Sequence, residues 1–476
     1  MGPLYAARSH CSPQSGKYPE APHLIPRDAI LVLLAVFVAA LLGTFSRPTG
    51  FLAAFWPANA LLAGLLVREP RLRTVPVVIA AVVGYVAAAL ACGDAIFSAL
   101  LLTTANLAGA LTFTALFGAL EPVDRTLSRP QGVISLLVMA GAASGLAGLV
   151  GGVALSGITQ LSYIDGLMSW FASELVNYLA LLPVMLTVPP PSMWFRRPRM
   201  QSIREATLPV LAVGFALALS LMTSHPIAIV FPVPALIWCA LALPISATAI
   251  LVMLYSGLAM LGLKLGLYDL GADFSGITAT HLGVALVALG PVVIASVNAD
   301  RRRHVEHLER LARYDQLTGA LNRSAFLESG EALMHDLALE RAPVAVLVVD
   351  VDHFKAVNDM HGHLSGDRVL TAVAAAMRLA IRQDDLFGRL GGEEFALVLP
   401  HMLAREATAV AERARAAVEK LAVVVESGAV LRVTISVGVA FRDRAGPNLS
   451  EMVSLADIAM YEAKREGRNR VRVREP

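Results

Sequence analysis

Between Val75 and Leu120 the chain carries a single charged residue, Asp94. A stretch that long with one charge has to be surrounded by apolar matter on all sides, and lipid is the solvent that accepts it most simply. The whole chain, 476 residues, is 56% hydrophobic and 16% charged, against about 45–50% and 25% for an ordinary soluble domain. Its net charge of +2 conceals a partition, because the residues after Asn298 are dense in Arg, Glu and Asp. The chain therefore reads as an apolar part followed by a polar one. Its cysteines, Cys11, Cys92 and Cys239, are odd in number. Cys92 and Cys239 lie in apolar runs, where they are expected to pack as small hydrophobes, so neither a disulfide framework nor a metal cluster follows.

A bilayer core takes about 20 mainly apolar residues per helix. Such runs centre roughly on residues 37, 58, 83, 106, 145, 176, 215, 235, 256 and 288, which predicts an all-α polytopic membrane domain over residues 28–298 with eight to ten spans, ten being the preferred count. Pro226, Pro232, Pro234 and Pro244 blur the ends of the seventh to ninth. Residues 1–27 form a polar tail with Glu20 and several prolines, unlike the short basic start of a cleaved signal peptide, so the first helix is expected to be retained. Arginines fall in every second loop, at Arg68, Arg71 and Arg73, at Arg125 and Arg129, at Arg196, Arg197, Arg199 and Arg204, and at Arg301, Arg302 and Arg303. The loops near Asp94, Asp165 and Asp269 carry almost none. By the positive-inside rule both termini are expected in the cytoplasm and the number of spans is expected to be even.

Polar residues inside spans are costly and often functional, which singles out Asn59, Asn106, Glu174, Asn177 and Lys264. Glu174 and Asn177 are one turn apart and share a helix face. These side chains either hydrogen-bond between helices and hold the bundle together or form a ligand site, and the sequence leaves both open. The segment Phe55-Trp56-Pro57-Ala58-Asn59-Ala60, upstream of a polar output half, resembles the first family of bacterial membrane-associated sensor (MASE) domains. That resemblance implies reception of a signal whose nature the residues do not specify.

Residues 299–314 form the joint. Asp300-Arg301-Arg302-Arg303-His304-Val305-Glu306-His307-Leu308-Glu309-Arg310-Leu311 places Val305, Leu308 and Ala312 at three- and four-residue steps. This suits a short coiled-coil seam continuing the last span, and equally a solvated helix start whose arginines face anionic lipid.

Beyond it the pattern alternates. Pro343 to Asp350 is a continuous, β-branched apolar run, read as a buried strand that ends in a carboxylate. Helical periodicity over 366–382 is followed by a hairpin at Gly391-Gly392, a strand at 395–399, a helix over 403–422, a strand at 432–440 and a helix over 449–466. The expected fold is an α/β sandwich with a mixed or antiparallel sheet. Asp350 at a strand end and Glu393 at a hairpin tip would meet if their strands are neighbours, and hard oxygen ligands there suit magnesium, which shares its shell with phosphates and water. Asp352 and Glu394 enlarge the acidic group.

The blocks Asp350-Val351-Asp352-His353-Phe354-Lys355-Ala356-Val357-Asn358-Asp359, Gly362-His363, Gly366-Asp367 and Gly391-Gly392-Glu393-Glu394-Phe395 resemble the GGDEF-family diguanylate cyclases. So do Asp315-Gln316-Leu317-Thr318-Gly319 with Asn322-Arg323 before them, and Tyr461-Glu462-Ala463-Lys464 with Gly467-Arg468-Asn469 after them. The resemblance covers about residues 312–474 and places the cyclase domain at 315–476. It implies a nucleotidyl-cyclase, palm-like fold and the condensation of two GTP into cyclic di-GMP and pyrophosphate, in a site shared by two antiparallel protomers of a homodimer. The same resemblance implies that Asp350, the Val351 carbonyl and Glu393 hold Mg2+ or Mn2+, and that Glu393, or Glu394, accepts the proton of the attacking hydroxyl. Lys355, Lys464 and Arg468 would neutralise phosphate charge, the last two expected on one helical face. Asn358 and Asp367 would read guanine and Leu317 would wall the base. Gly391, Gly392 and the Phe354 backbone would approach the phosphates, while the Phe354 and Phe395 rings pack.

Arg382 and Asp385 match the family's product-inhibition site, and Asp315 is expected to pair with Arg389. The expected location is the bacterial inner membrane, multi-pass, with no nucleic-acid partner and no phosphodiesterase domain. Two rivals stand beside this reading: a receptor that binds nucleotide without turning it over, and a transporter with a regulatory tail, which Glu174 and Lys264 permit.

Overall fold

The computed structural model describes residues 25–46, 55–189, 200–223, 225–268, 274–426, 428–446 and 448–475. The polar tail up to residue 24, Cys11, Arg196, Arg197, Arg199 and Asp269 lie outside these. Two compact units divide between Arg302 and Arg303.

The first unit is helical: α1 (Ile25–Phe45), α2 (Pro57–Arg68), α3 (Val75–Ala91), α4 (Ile96–Phe117), the single turn α5 (Pro122–Arg125), α6 (Pro130–Ile158), α7 (Tyr163–Thr187), α8 (Met200–Thr223), α9 (Val233–Ala242), α10 (Ile245–Lys264) and α11 (Phe274–Arg313). Seven helices are long and apolar enough to cross a membrane, and three further apolar segments, Pro57–Arg68, Val75–Ala91 and Pro226–Ala242, are shorter. Every predicted run is thus helical, but the preferred count of ten spans is not reached on length. Helix α2 begins at Pro57 and stops before Pro70, and its 12 residues at about 1.5 Å each cover well under the ~30 Å of a bilayer core.

Small residues let these helices approach. Gly148 and Gly152 of α6 face the α7 backbone at Leu167 and Tyr163. Apolar side chains such as Leu42, Val138, Val153 and Met222 remain exposed on outer faces. Two sequence expectations change. Lys264 is the last residue of α10 and donates to the Phe45 carbonyl, at a helix end rather than mid-span. Cys92 is exposed just past the end of α3, while Cys239 is buried as expected.

The second unit follows the last residues of α11 with α12 (Arg323–Glu340), β1 (Val344–Val351), α13 (Phe354–His361), α14 (His363–Leu379), β2 (Leu386–Gly391), β3 (Glu394–Pro400), α15 (Ala404–Glu419), β4 (Val423–Val424), β5 (Val430–Leu431), β6 (Ile435–Arg442), α16 (Leu449–Arg465) and β7 (Val471–Arg474). Its five-stranded sheet has the order β2-β3-β1-β6-β7. All pairs are antiparallel except β6 with β7, so the sheet is mixed.

Strand β1 is central and buried along its whole length because the sheet is covered on both faces. Ala345, Leu347 and Val349 enter one core with Val369, Leu370 and Val410 of α14 and α15. Val344, Val346 and Val348 enter the other with Phe326 and Met334 of α12 and Leu449, Met452 and Met460 of α16. Strand alternation therefore sends Asp350, two residues after Val348, toward α16, together with Glu394, two residues before Ala396. α12, β7 and the small β4–β5 hairpin were not read from the sequence.

Candidate active site

Pairing of β1 with β3 sets Asp350 opposite Glu394, and the Val351 N–H reaches the Glu393 carbonyl at 3.3 Å. The tip between β2 and β3 is made by Gly392 with φ of +46°, after an irregularity between Arg389 and Gly391. A left-handed residue of this kind suits glycine. The two strand ends thus bring three carboxylates together. Burial, and then repulsion from Asp350, push the Glu393 and Glu394 carboxyls above the usual carboxylate range. Burial also raises Asp350, against the pull of Lys464. Such a cluster lacks positive charge.

Lys464 supplies part of it, with Nζ 2.7 Å from Asp350 Oδ2. Lys464 lies in the last turn of α16, but Arg468 does not share its helical face as expected, because α16 ends at Arg465. Gly467, at φ +115°, and Arg468, at φ +63°, reverse the chain, with Arg468 N–H donating to Ala463 O at 3.0 Å and Gly467 N–H to Lys464 O at 3.4 Å. This is a Schellman stop. Arg468 therefore leaves the helix end on a loop of its own.

That loop is fixed by Asp352. Its Oδ1 accepts from Ser436 Oγ at 2.7 Å, and its Oδ2 accepts from Thr434 Oγ1 at 2.7 Å and Asn469 N–H at 3.0 Å. Asp352 is buried, so it is not the free addition to the acidic group expected from Asp-x-Asp; its lone pairs go to β6 and to the residue after Arg468. Asn469 is held further by Arg415 Nη1 at 2.8 Å and Glu419 Oε1 at 2.7 Å. Thr434, Ser436 and Asn469 carry no local sequence signal for this role.

On the opposite side His353, at φ +57°, turns the chain into α13, which presents Lys355 exposed in its first turn. The Phe354 ring is buried in the core, and Phe395 stacks on Phe387 at 5.6 Å. Asn358 of α13 lies against α14, where its buried Oδ1 has no hydrogen-bond partner and sits so close to Gly366 that a Cβ there would be 1.9 Å away. Asp367 follows, exposed, and Thr371 ties α14 to the Leu317 carbonyl at 3.3 Å. Asn358, Gly366, Asp367 and Leu317 are thereby gathered at the α13–α14 junction.

Arg389 links this tip to the start of the unit. Nη1 donates to Asp315 Oδ1 and Oδ2 at 3.0 and 3.2 Å, while Nε and Nη2 donate to the Gly392 carbonyl at 2.9 and 2.6 Å. The expected pair is present, with the added grip on the hairpin. Burial raises the Asp315 carboxyl, but hydrogen bonds from Thr318 and Arg389 outweigh it and hold it below the usual range.

Arg382 is exposed, whereas Asp385 is buried with Oδ2 on the Arg382 backbone N–H at 2.7 Å, closing the turn before β2. In the first unit, Asn59, Glu174 and Asn106 meet, and Asn177 joins them through Trp56, whose backbone N–H it accepts at 2.9 Å.

Among the described residues no three or more His, Cys, Asp or Glu side chains are arranged to hold a metal ion. The donor set at the strand ends is two carboxylates and a backbone carbonyl, all hard oxygens. That chemistry fits a magnesium-type ion completing its shell with phosphate and water, and the Lys464 ammonium on Asp350 marks the same demand for positive charge.

Residues 312–470 match the family described as diguanylate cyclase, GGDEF domain. The probable diguanylate cyclase DgcF of Escherichia coli O157:H7 is 26% identical over 94% of this chain and 94% of its own length. DgcF of E. coli K12 is 28% identical over 64% of this chain and 96% of its own. A solved structure of the coiled coil and GGDEF domain of DgcB from Caulobacter crescentus, in complex with c-di-GMP, is 31% identical, covering 37% of this chain and 92% of that one, with a TM-score of 0.35. The ordered motifs on these strand ends and the matches to probable diguanylate cyclases, one along nearly the whole chain, lead to one conclusion: residues 312–470 form a diguanylate cyclase domain of the GGDEF family, a class of nucleotidyltransferases.

Proposed function

We propose that the protein is a membrane-anchored enzyme that condenses two GTP into cyclic di-GMP and two pyrophosphates at a site completed by a second copy of itself. The observation that carries this is the meeting of Asp350, Glu393, Glu394 and Lys464 at the paired ends of β1 and β3. Asp350, the Val351 carbonyl and Glu393 would hold Mg2+ or Mn2+, which when bound offsets phosphate charge and makes a neighbouring hydroxyl more acidic. Glu393, with Glu394 as the alternative, takes the proton of the attacking 3′-hydroxyl. Lys355, Lys464 and Arg468 face the negative charge that builds on the phosphates, and Gly391, Gly392 and the Phe354 N–H let them approach the backbone. Asn358 and Asp367 accept the guanine N–H groups, Asp367 also disfavouring adenine, beside Leu317. One protomer supplies half of each reaction, since each 3′-hydroxyl attacks the other nucleotide's α-phosphate.

Arg382 and Asp385 are assigned to product inhibition, the exposed guanidinium taking phosphate or a guanine edge. Seven long apolar helices and the outward apolar side chains support insertion of the first unit into a bacterial inner membrane; both termini are assigned to the cytoplasm, which requires one or all three of the shorter apolar segments to cross as well. That unit is assigned to signal reception and α11 (Phe274–Arg313) to its transmission.

The full chain, in detergent or vesicles with GTP and magnesium, is expected to release cyclic di-GMP and pyrophosphate. Glu393→Ala should abolish product while leaving circular dichroism unchanged. A wild-type chain that binds GTP but yields no product, even when cross-linked as a dimer, would convert the assignment to a nucleotide receptor. Arg382→Ala should relieve inhibition by added cyclic di-GMP, and unchanged inhibition removes that assignment.

A further inference from the structure

The least explained charge-bearing group in the molecule is Glu174 of α7, 3% exposed in the core of the first unit. Both of its carboxyl oxygens accept from one nitrogen, Asn59 Nδ2 of α2, at 2.9 and 2.8 Å, and that nitrogen is also 3.0 Å from Asn106 Oδ1 of α4. An amide nitrogen has two hydrogens, so three acceptors converge on two donors. Asn59 Oδ1 is itself satisfied twice, by Tyr85 Oη of α3 at 2.7 Å and Trp56 Nε1 at 3.2 Å. The Tyr178 hydroxyl, one turn beyond Glu174, is fully buried, has no other partner and lies beside the same carboxyl as a further neutral donor.

No cation compensates. Among the described residues no Arg, Lys or His pairs with Glu174, and its titratable neighbours are Tyr85 and Tyr178. The helices α2, α4 and α6 contribute neutral side chains. Gly109, one turn after Asn106, preserves the space, because a Cβ there would lie 3.1 Å from Glu174 Oε1 and 3.0 Å from Tyr178 Oη. An ionised carboxylate so placed has only neutral groups around it and carries an unpaired charge away from water, which is costly. One proton removes that charge: the carboxylate becomes an acid whose O–H joins the same group of polar side chains as a donor.

We infer that Glu174, with Asn59, Asn106, Tyr85 and Tyr178, is an intramembrane proton-binding site, the proton being the ligand that the first unit takes up and gives off. This rests on reading that unit as membrane-spanning.

The test is infrared spectroscopy of the full chain in deuterated buffer, in detergent and in vesicles, from about pH 5 to about pH 9, where ordinary carboxylic acids, with pKa near 4, are ionised. The expected result is a protonated-carboxyl carbonyl band that fades as pH rises and is missing from Glu174→Gln. Absence of the band throughout overturns the proposal, as does a band that persists undiminished to alkaline pH, which would make Glu174 a fixed interhelical bond. A band displaced by sodium at constant pH would overturn it in favour of an alkali-cation site. If Glu174→Gln fails to fold, Glu174→Asp must instead shift the band in frequency. Retention in alkaline carbonate-washed membranes is scored separately: loss of both proteins from the pellet refutes the membrane reading while the infrared result in detergent still decides the site.

Discussion

Replacing Asp352 by alanine removes a buried carboxylate that satisfies two hydroxyls and one backbone N–H from segments more than 80 residues away along the chain. Charge-assisted bonds of this kind contribute about 1.5–3 kcal/mol each. They share one carboxylate and are not additive, so the variant should lose about 3–5 kcal/mol of stability in the second unit. Asparagine is different. Its oxygen can serve Thr434 and the Asn469 N–H while its nitrogen donates to Ser436, so Asp352→Asn should lose only about 1 kcal/mol. Hydrogen exchange of β1 and β6 amides in the full chain, read by mass spectrometry, isolates this unit, because central-strand amides exchange through its unfolding. With 1.4 kcal/mol per factor of ten, exchange should accelerate by roughly 10²–10³ or more in the alanine variant and about fivefold in the asparagine one. The Michaelis constant for GTP should rise in the alanine variant, since Arg468 loses the anchor beside it. An acceleration below tenfold for alanine, or equal effects for both variants, would refute this account of Asp352.

Burial first, and carboxylate repulsion second, raise Glu393, so its ionised form opposes folding in the absence of divalent metal. A raised folded-state value favours folding below the ordinary carboxylate range and is lost as pH rises through it. Glu393→Gln should therefore raise the melting temperature of the metal-free protein at neutral pH, and a lower one in calorimetry would contradict the electrostatics. Arg389→Ala frees both Asp315 and the Gly392 carbonyl and should cost about 2 kcal/mol in urea unfolding, with Arg389→Lys failing to restore it because the bonds need a planar fork. Asp315 has the opposite sign: its depressed carboxyl stabilises above the usual carboxylate range, and that stability falls away on acidification through the lowered value, so Asp315→Asn should flatten the acid limb of the same unfolding measurement. Gly366→Ala must displace Asn358, because the new Cβ would fall 1.9 Å from its Oδ1, and the Michaelis constant for GTP should rise roughly tenfold, about 1.4 kcal/mol; an unchanged value would separate Asn358 from the base.

What the sequence disclosed, and what it hid, follows from the range of the interactions. The apolar runs were legible because each is a local property of about 20 residues, and all of them are helical. The length of α2 was less so, since hydropathy averages across the prolines that bound it. The acidic site was legible because Asp350 ends a run too apolar for anything but a central strand, and the glycines before Glu393 mark a hairpin tip. Their meeting required only that β1 and β3 be neighbours, which they are. Arg468 was misplaced by one local rule overriding another: four-residue spacing after Lys464 suggests a shared face, but Gly467 ends α16 two residues earlier.

Asp352 was misread for a different reason. Two aspartates flanking one residue look equivalent in sequence, yet Asp350 belongs to the strand and is sent toward α16 by its alternation, while Asp352 follows the strand end and turns to Thr434, Ser436 and Asn469. Only the pairing of β6 with β1 on one side and β7 on the other brings those three donors to it. The buried Glu174 is the same case in the other unit: a lone acid in an apolar run signals that something must compensate it, but the convergence of Asn59, Asn106, Tyr85 and Tyr178 depends on the packing of four helices. Both carboxylates are buried, and their surroundings set their roles. Asp352 is surrounded by donors and is spent as a fastening. Glu174 has only neutral groups around it and no cation, and that uncompensated charge is the ground on which a proton is assigned to it.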